Sequence, residues 1–126
     1  MIISGVKRNT MHLEQRRAIY IRALEEDLKR IRQQLAAMPQ VVKIILFGSY
    51  AAGRRDLFTD LDLLVIIESD LDFPSRMAVL YGQIRASVDV DLLAYTPEEF
   101  ERMQSRGFVR HALATGKVIY ERPTTG

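Results

Sequence analysis

Ile44–Ile67 reads IILFGSYAAGRRDLFTDLDLLVII, and the fold is decided in this stretch. The β-branched apolar run Val41–Phe47 predicts a buried strand that Gly48 ends. Gly48–Thr59, with its two glycines and the adjacent Arg54 and Arg55, predicts a connection. Asp60–Ile67 predicts a second strand, polar at its head and apolar through the rest. Side chains alternate along a strand, so Asp60 and Asp62 share one face a few ångströms apart.

Downstream, Glu68–Pro74 predicts a loop and Pro74 to about Ala86 a helix with Met77, Leu80 and Ile84 on one face. Val88–Tyr95 predicts a third strand, which repeats the acidic device as Asp89-Val90-Asp91. Thr96-Pro97-Glu98-Glu99 is a capping box with proline at the first helical position. The helix it opens runs through Phe100 and Met103, with Gly107 as its expected stop. A short helix over Val109–Thr115, ended by Gly116, precedes a last strand over Lys117–Glu121 and a loose tail from Pro123.

Upstream, Thr10–Met38 predicts one long helix, stopped by Pro39. Ile21, Leu24, Leu28, Ile31 and Leu35 draw an apolar stripe along it. Glu25 with Lys29 and Glu26 with Arg30 form i,i+4 pairs on the wet side. The stripe is expected to pack on the chain's own sheet. Dimerisation through it leaves a homo-oligomer open.

A chain of 126 residues predicts one domain, and 48% apolar with 27% charged residues is ordinary globular usage. Eighteen Lys and Arg against sixteen Asp and Glu leave a net +2, which gives no ground for nucleic acid as a direct partner. Residues 1–37 carry eight basic and four acidic side chains, whereas 38–126 carry ten basic and twelve acidic. A solvated helix face is the ordinary meaning of such a split. Without cysteine, disulfides, thiolate nucleophiles and Cys-bound zinc are excluded. No apolar run is long enough to span a bilayer and no signal peptide is legible, so a cytoplasmic protein is expected.

The chemistry concentrates in the aspartates. If the second and third strands are neighbours, three or four carboxylates converge, and close like charges resist joint ionisation until a cation arrives. Hard divalent ions with oxygen ligands answer that need, and Mg²⁺ favours carboxylates together with substrate phosphates. Gly48 permits close backbone approach and Ser49 offers a hydroxyl, so the turn supplies a phosphate side. Metal-assisted phosphoryl or nucleotidyl transfer follows as the implied chemistry. Two competing patterns are set aside. Ser69-Asp70-Leu71-Asp72 repeats the acidic spacing in a predicted loop with no glycine turn beside it. Gly48 and Gly53 have P-loop spacing, but Arg54 and Arg55 stand where Lys and Ser/Thr are required.

Leu46-Phe47-Gly48-Ser49-Tyr50-Ala51, Thr59-Asp60-Leu61-Asp62-Leu63-Leu64-Val65 and Val90-Asp91-Leu92-Leu93-Ala94-Tyr95-Thr96-Pro97-Glu98-Glu99-Phe100 resemble the minimal nucleotidyltransferase (MNT) family of the DNA polymerase β-like superfamily. Gly116-Lys117-Val118-Ile119-Tyr120-Glu121 is also similar. The resemblance implies a single small α/β (α+β) domain, a mixed sheet flanked by helices. Residues 1–39 form a leader and helix packed on it, and 40–126 the nucleotidyltransferase domain. It implies Asp60, Asp62 and Asp91 as catalytic ligands of two Mg²⁺ ions, with Asp91 preferred to Asp89 for its spacing to Tyr95-Thr96-Pro97. It implies Gly48 and Ser49 as holders of the β- and γ-phosphates of ATP. Many relatives carry arginine where this chain has Ala52, and Arg54 or Arg55 is the expected substitute. With little chain left after residue 96 for an acceptor domain, a partner is expected to bring the acceptor. In this family that partner is often a HEPN-type toxin, and the resemblance implies the same here, with a tyrosine of the toxin receiving AMP from the MNT antitoxin. The alternative is a catalytically inactive protein of this fold that acts by binding its partner.

Overall fold

The computed structural model describes residues 2–124. In chain order the elements are α1 (Ile2–Ala36), β1 (Val41–Phe47), α2 (Gly48–Ala51), β2 (Leu61–Ile67), α3 (Phe73–Gln83), β3 (Val90–Tyr95), α4 (Pro97–Met103), α5 (Gly107–Thr115) and β4 (Lys117–Glu121). The four strands form one sheet in the order β3-β2-β1-β4. β1 runs antiparallel to both β2 and β4, and β2 runs parallel to β3, so the sheet is mixed. A parallel neighbour needs a crossover, which α3 supplies.

β1 and β2 are apolar almost throughout because both sheet faces are covered. Ile44, Leu46, Leu63, Val65 and Ile67 face one core together with Leu24, Ile31 and Leu35 of α1 and Leu80 of α3. Ile45, Leu64 and Ile66 face a second, with Val109 of α5 and, at its edge, Phe100 and Met103 of α4. Gly116 lets the chain turn tightly from α5 into β4. A Cβ there would lie 2.5 Å from the Ala112 carbonyl oxygen and 2.9 Å from the Leu46 carbonyl oxygen.

The stripe on α1 is buried as its spacing predicts, with Leu24, Ile31 and Leu35 wholly inaccessible. Asp27 shares that buried face. Its carboxylate accepts from the backbone N–H groups of Ser87 (2.6 Å) and Val88 (3.0 Å) and from the Ser87 hydroxyl. Arg30 therefore pairs with Asp27 at 3.1 Å and donates to the Arg85 carbonyl, in place of the pair with Glu26 expected from spacing. The same bonds explain why the third strand begins at Val90 and not at Val88. The N–H groups of 87 and 88 are committed to α1.

Three other boundaries differ from the sequence reading. α3 starts earlier, at Phe73, because Asp72 caps it by accepting from the Ser75 N–H at 2.9 Å, and it stops at Gln83. The second half of the Ser69–Asp72 pattern is thus a helix cap. α4 ends at Met103, and Gly107 opens α5 in a left-handed conformation (φ +41°) where it was expected to end α4. The start of the expected connection is a helical turn, α2. The capping box at Thr96 is present with both bonds made, and Glu99 also accepts from the buried Arg76 at 2.7 Å.

Candidate active site

The site lies where β1 ends and β2 and β3 begin. In the parallel register Asp62 stands level with Asp91, and across the antiparallel pair Phe47 stands level with Asp62. Gly48, the next residue, is therefore beside the Asp62 side chain. Asp60 sits just before β2 on the same face as Asp62. One carboxylate oxygen from each of Asp60, Asp62 and Asp91 lies within 4.8 Å of the others. Asp60 and Asp62 are half-buried and Asp91 is exposed. Asp89 is outside this trio; its carbonyl accepts the Leu61 N–H at 3.0 Å.

Electrostatics follow from the crowding. Burial, the charges of Asp60 and Asp91 and hydrogen bonds with both push the Asp62 carboxyl up to about 6. The donor set is all carboxylate oxygen, which suits a hard divalent cation such as Mg²⁺. A cation between the three would remove the repulsion that raises Asp62.

The glycine turn faces this cluster. Gly48 has φ +78°, a left-handed conformation, and a Cβ on it would lie 2.8 Å from Cγ of Asp62. Ser49 is half-buried within α2, and Ala52 caps α2 at its C-terminal end. Arg54 donates through Nε to Asp56 at 2.8 Å. Arg55 lies over the Tyr50 ring, 3.5 Å from its centroid, and donates to the Tyr50 and Arg54 carbonyls at 2.8 Å. The two arginines thus flank the turn with their guanidinium groups engaged by their own loop.

α1 also reaches this loop. Tyr20 donates to the Thr59 carbonyl at 2.6 Å, and Arg17 donates to the Arg55 carbonyl at 3.2–3.3 Å. Burial, then the charges of Asp89 and Asp60, raise the Tyr20 pKa, which keeps its hydroxyl a donor. Sequence reasoning passed over both residues. The available signal was Tyr20 four positions before Leu24, a polar tip on the apolar stripe.

The family model described as "Polymerase beta, Nucleotidyltransferase" matches residues 29–125. The chain belongs to this nucleotidyltransferase family. Its size and mixed sheet fit the minimal branch. Among curated relatives, "Putative protein adenylyltransferase MJ0604" of Methanocaldococcus jannaschii is 26% identical over 103 residues, covering 79% of this chain and 96% of the relative. "Putative protein adenylyltransferase MJ1305" of the same organism is 29% identical over 105 residues, covering 79% and 70%. Among solved structures, a nucleotidyltransferase from Sulfolobus solfataricus, named as putative, shares the fold at a TM-score of 0.52 and 18% identity, covering 79% of this chain and 87% of that one. A mutant of the toxin–antitoxin pair MntA–HpeT aligns at 0.45 and 22%, covering 77% and 72%. As a member of the family, the chain is a nucleotidyltransferase. No helix among the described residues is long and apolar enough to cross a membrane.

Proposed function

We propose that this nucleotidyltransferase moves AMP from ATP to a hydroxyl of a protein acceptor, using Asp60, Asp62 and Asp91 to hold two Mg²⁺ ions. The observation that carries this reading is the carboxylate trio, within 4.8 Å, packed against the glycine turn at Gly48. Bound there, Mg²⁺ supplies charge neutralisation for the phosphates and acidifies the acceptor hydroxyl.

Gly48 and Ser49 hold the β- and γ-phosphates, the glycine by backbone approach and the serine by its hydroxyl. Arg54 adds charge by exchanging Asp56 for phosphate, and Arg55 does so from its seat over Tyr50. The acceptor oxygen bonds to the α-phosphorus in line as the bond to the bridging oxygen breaks and pyrophosphate leaves. The hydroxyl proton passes to Asp91, the exposed member of the trio.

The names of the curated relatives support a protein as acceptor. The motif resemblance supports, more finely, a tyrosine of a HEPN-type toxin, with this chain as its antitoxin in the cytoplasm. The test is incubation of labelled ATP and Mg²⁺ with the product of the neighbouring gene, comparing wild type with Asp62→Asn. Label should enter the partner's tyrosine with wild type only. Equal labelling by both proteins overturns the mechanism, and neutralisation of the partner without labelling establishes action by contact alone.

A further inference from the structure

Asp60 is pinned through the peptide groups on both of its sides. After it, the Leu61 N–H donates to the Asp89 carbonyl at 3.0 Å, which ties it to the strand bearing Asp91. Before it, the Thr59 carbonyl belongs to the planar peptide whose nitrogen is that of Asp60, so fixing the oxygen fixes the entry of the Asp60 backbone. That oxygen accepts the Tyr20 hydroxyl at 2.6 Å. Thr59 is itself almost wholly buried and closes its turn by exchanging bonds with Asp56, 3.0 Å from the Asp56 N–H and 3.2 Å to its carboxylate. The turn is thus rigid, and Tyr20 decides where it sits.

Arg17, one helical turn earlier, makes a second tie. Nε and Nη2 both donate to the Arg55 carbonyl, and Arg55 in turn covers the Tyr50 ring and donates to the Tyr50 carbonyl. Tyr50 follows the Gly48-Ser49 pair directly. One face of α1 therefore braces both the carboxylate side and the glycine side of the site. Both braces lie before residue 29, outside the part of the chain matched by the family model.

The geometry points to Tyr20 and Arg17 as positioning residues that the N-terminal helix adds to the site, setting Asp60 and the Gly48 turn for the metal-bound nucleotide. The inference rests on the nucleotidyltransferase reading above. Removing the Tyr20 hydroxyl leaves the Thr59 carbonyl without its donor and frees the peptide before Asp60. Supports behind a metal-binding carboxylate are commonly worth 10–100-fold in metal affinity.

The experiment measures binding of Mn²⁺ with AMP-PNP to the full chain by electron paramagnetic resonance, for wild type, Tyr20→Phe, Arg17→Ala and Leu24→Ala. Leu24 is buried in the core from the same helix and has no polar atom to offer the site loop, so Leu24→Ala reports what loss of helix packing alone does. Tyr20→Phe should weaken Mn²⁺ binding by about ten-fold. Arg17→Ala should weaken mainly the nucleotide. Leu24→Ala should lower the melting temperature more than either and leave both affinities near wild type. Wild-type affinity in Tyr20→Phe, or an equal loss in Leu24→Ala, overturns the inference while the transferase reading stands. No Mn²⁺ binding by wild type overturns both.

Discussion

Gly48 and Asp62 occupy one space. The glycine sits at the end of β1, Asp62 on the neighbouring strand, and any side chain at 48 would run into the carboxylate. Gly48 thus meets two demands at once, a left-handed backbone and the absence of a Cβ where the Asp62 carboxylate lies. Gly48→Ala should destabilise the protein by about 1–2 kcal/mol from the backbone alone. It should also displace Asp62. Thermal melts with and without Mg²⁺ and ATP check this: wild type should rise on adding the ligands and the variant should not.

Asp62 carries a stability cost that depends on pH. Its carboxyl is raised from 3.8 to about 6, so the unfolded chain loses this proton at lower pH than the folded one. The stability it lends is fully present below 3.8 and is lost as pH rises to and through about 6. In chelator, the melting temperature should therefore fall over that window. Asp62→Asn should flatten the fall and melt higher than wild type at pH 7, and Mg²⁺ should restore wild type above pH 6. Matching profiles for the two proteins in chelator would refute this.

Under the proposed function, Arg54 and Arg55 bring positive charge to the phosphates. Each changed to alanine should weaken ATP binding by about ten- to a hundred-fold, since a charge-assisted contact to phosphate contributes about 1.5–3 kcal/mol. Arg55→Ala should also loosen the turn, because its guanidinium is stacked on Tyr50. Isothermal titration with a non-hydrolysable analogue separates the two. Unchanged affinity in either variant removes that residue from the nucleotide site.

Asp27 holds α1 to the start of β3. Asp27→Ala strands the N–H groups of Ser87 and Val88, with Val88 buried, and should cost about 3 kcal/mol. Asp27→Asn, which retains one acceptor oxygen, should cost less. Urea unfolding measures both, and a midpoint for Asp27→Ala equal to wild type contradicts this role.

The strands were legible because β1 and β2 are apolar on both faces, a pattern that a sheet covered on two sides imposes. The pair Asp60 and Asp62 was legible from alternation, since the two must share a face. Motif spacing had preferred Asp91 to Asp89, and the register supplies the physical reason: it places Asp91 level with Asp62, while the Asp89 carbonyl accepts the Leu61 N–H. Asp27, Tyr20 and Arg76 were missed for a common reason. Each satisfies backbone groups distant in sequence, and spacing along the chain carries no trace of such partners. Gly107 was misread because a glycine with positive φ can open a helix as readily as close one.

Asp62 and Asp91 stand side by side only because β2 and β3 run parallel, and that pairing forms only after the chain has gone round through α3 and returned. No hairpin can bring them together early, so the two halves of the cluster meet across a long loop closure. A partly folded chain accordingly has no place for the ion. Metal uptake becomes a reporter of completed topology, and during refolding it should lag behind burial of the apolar strands.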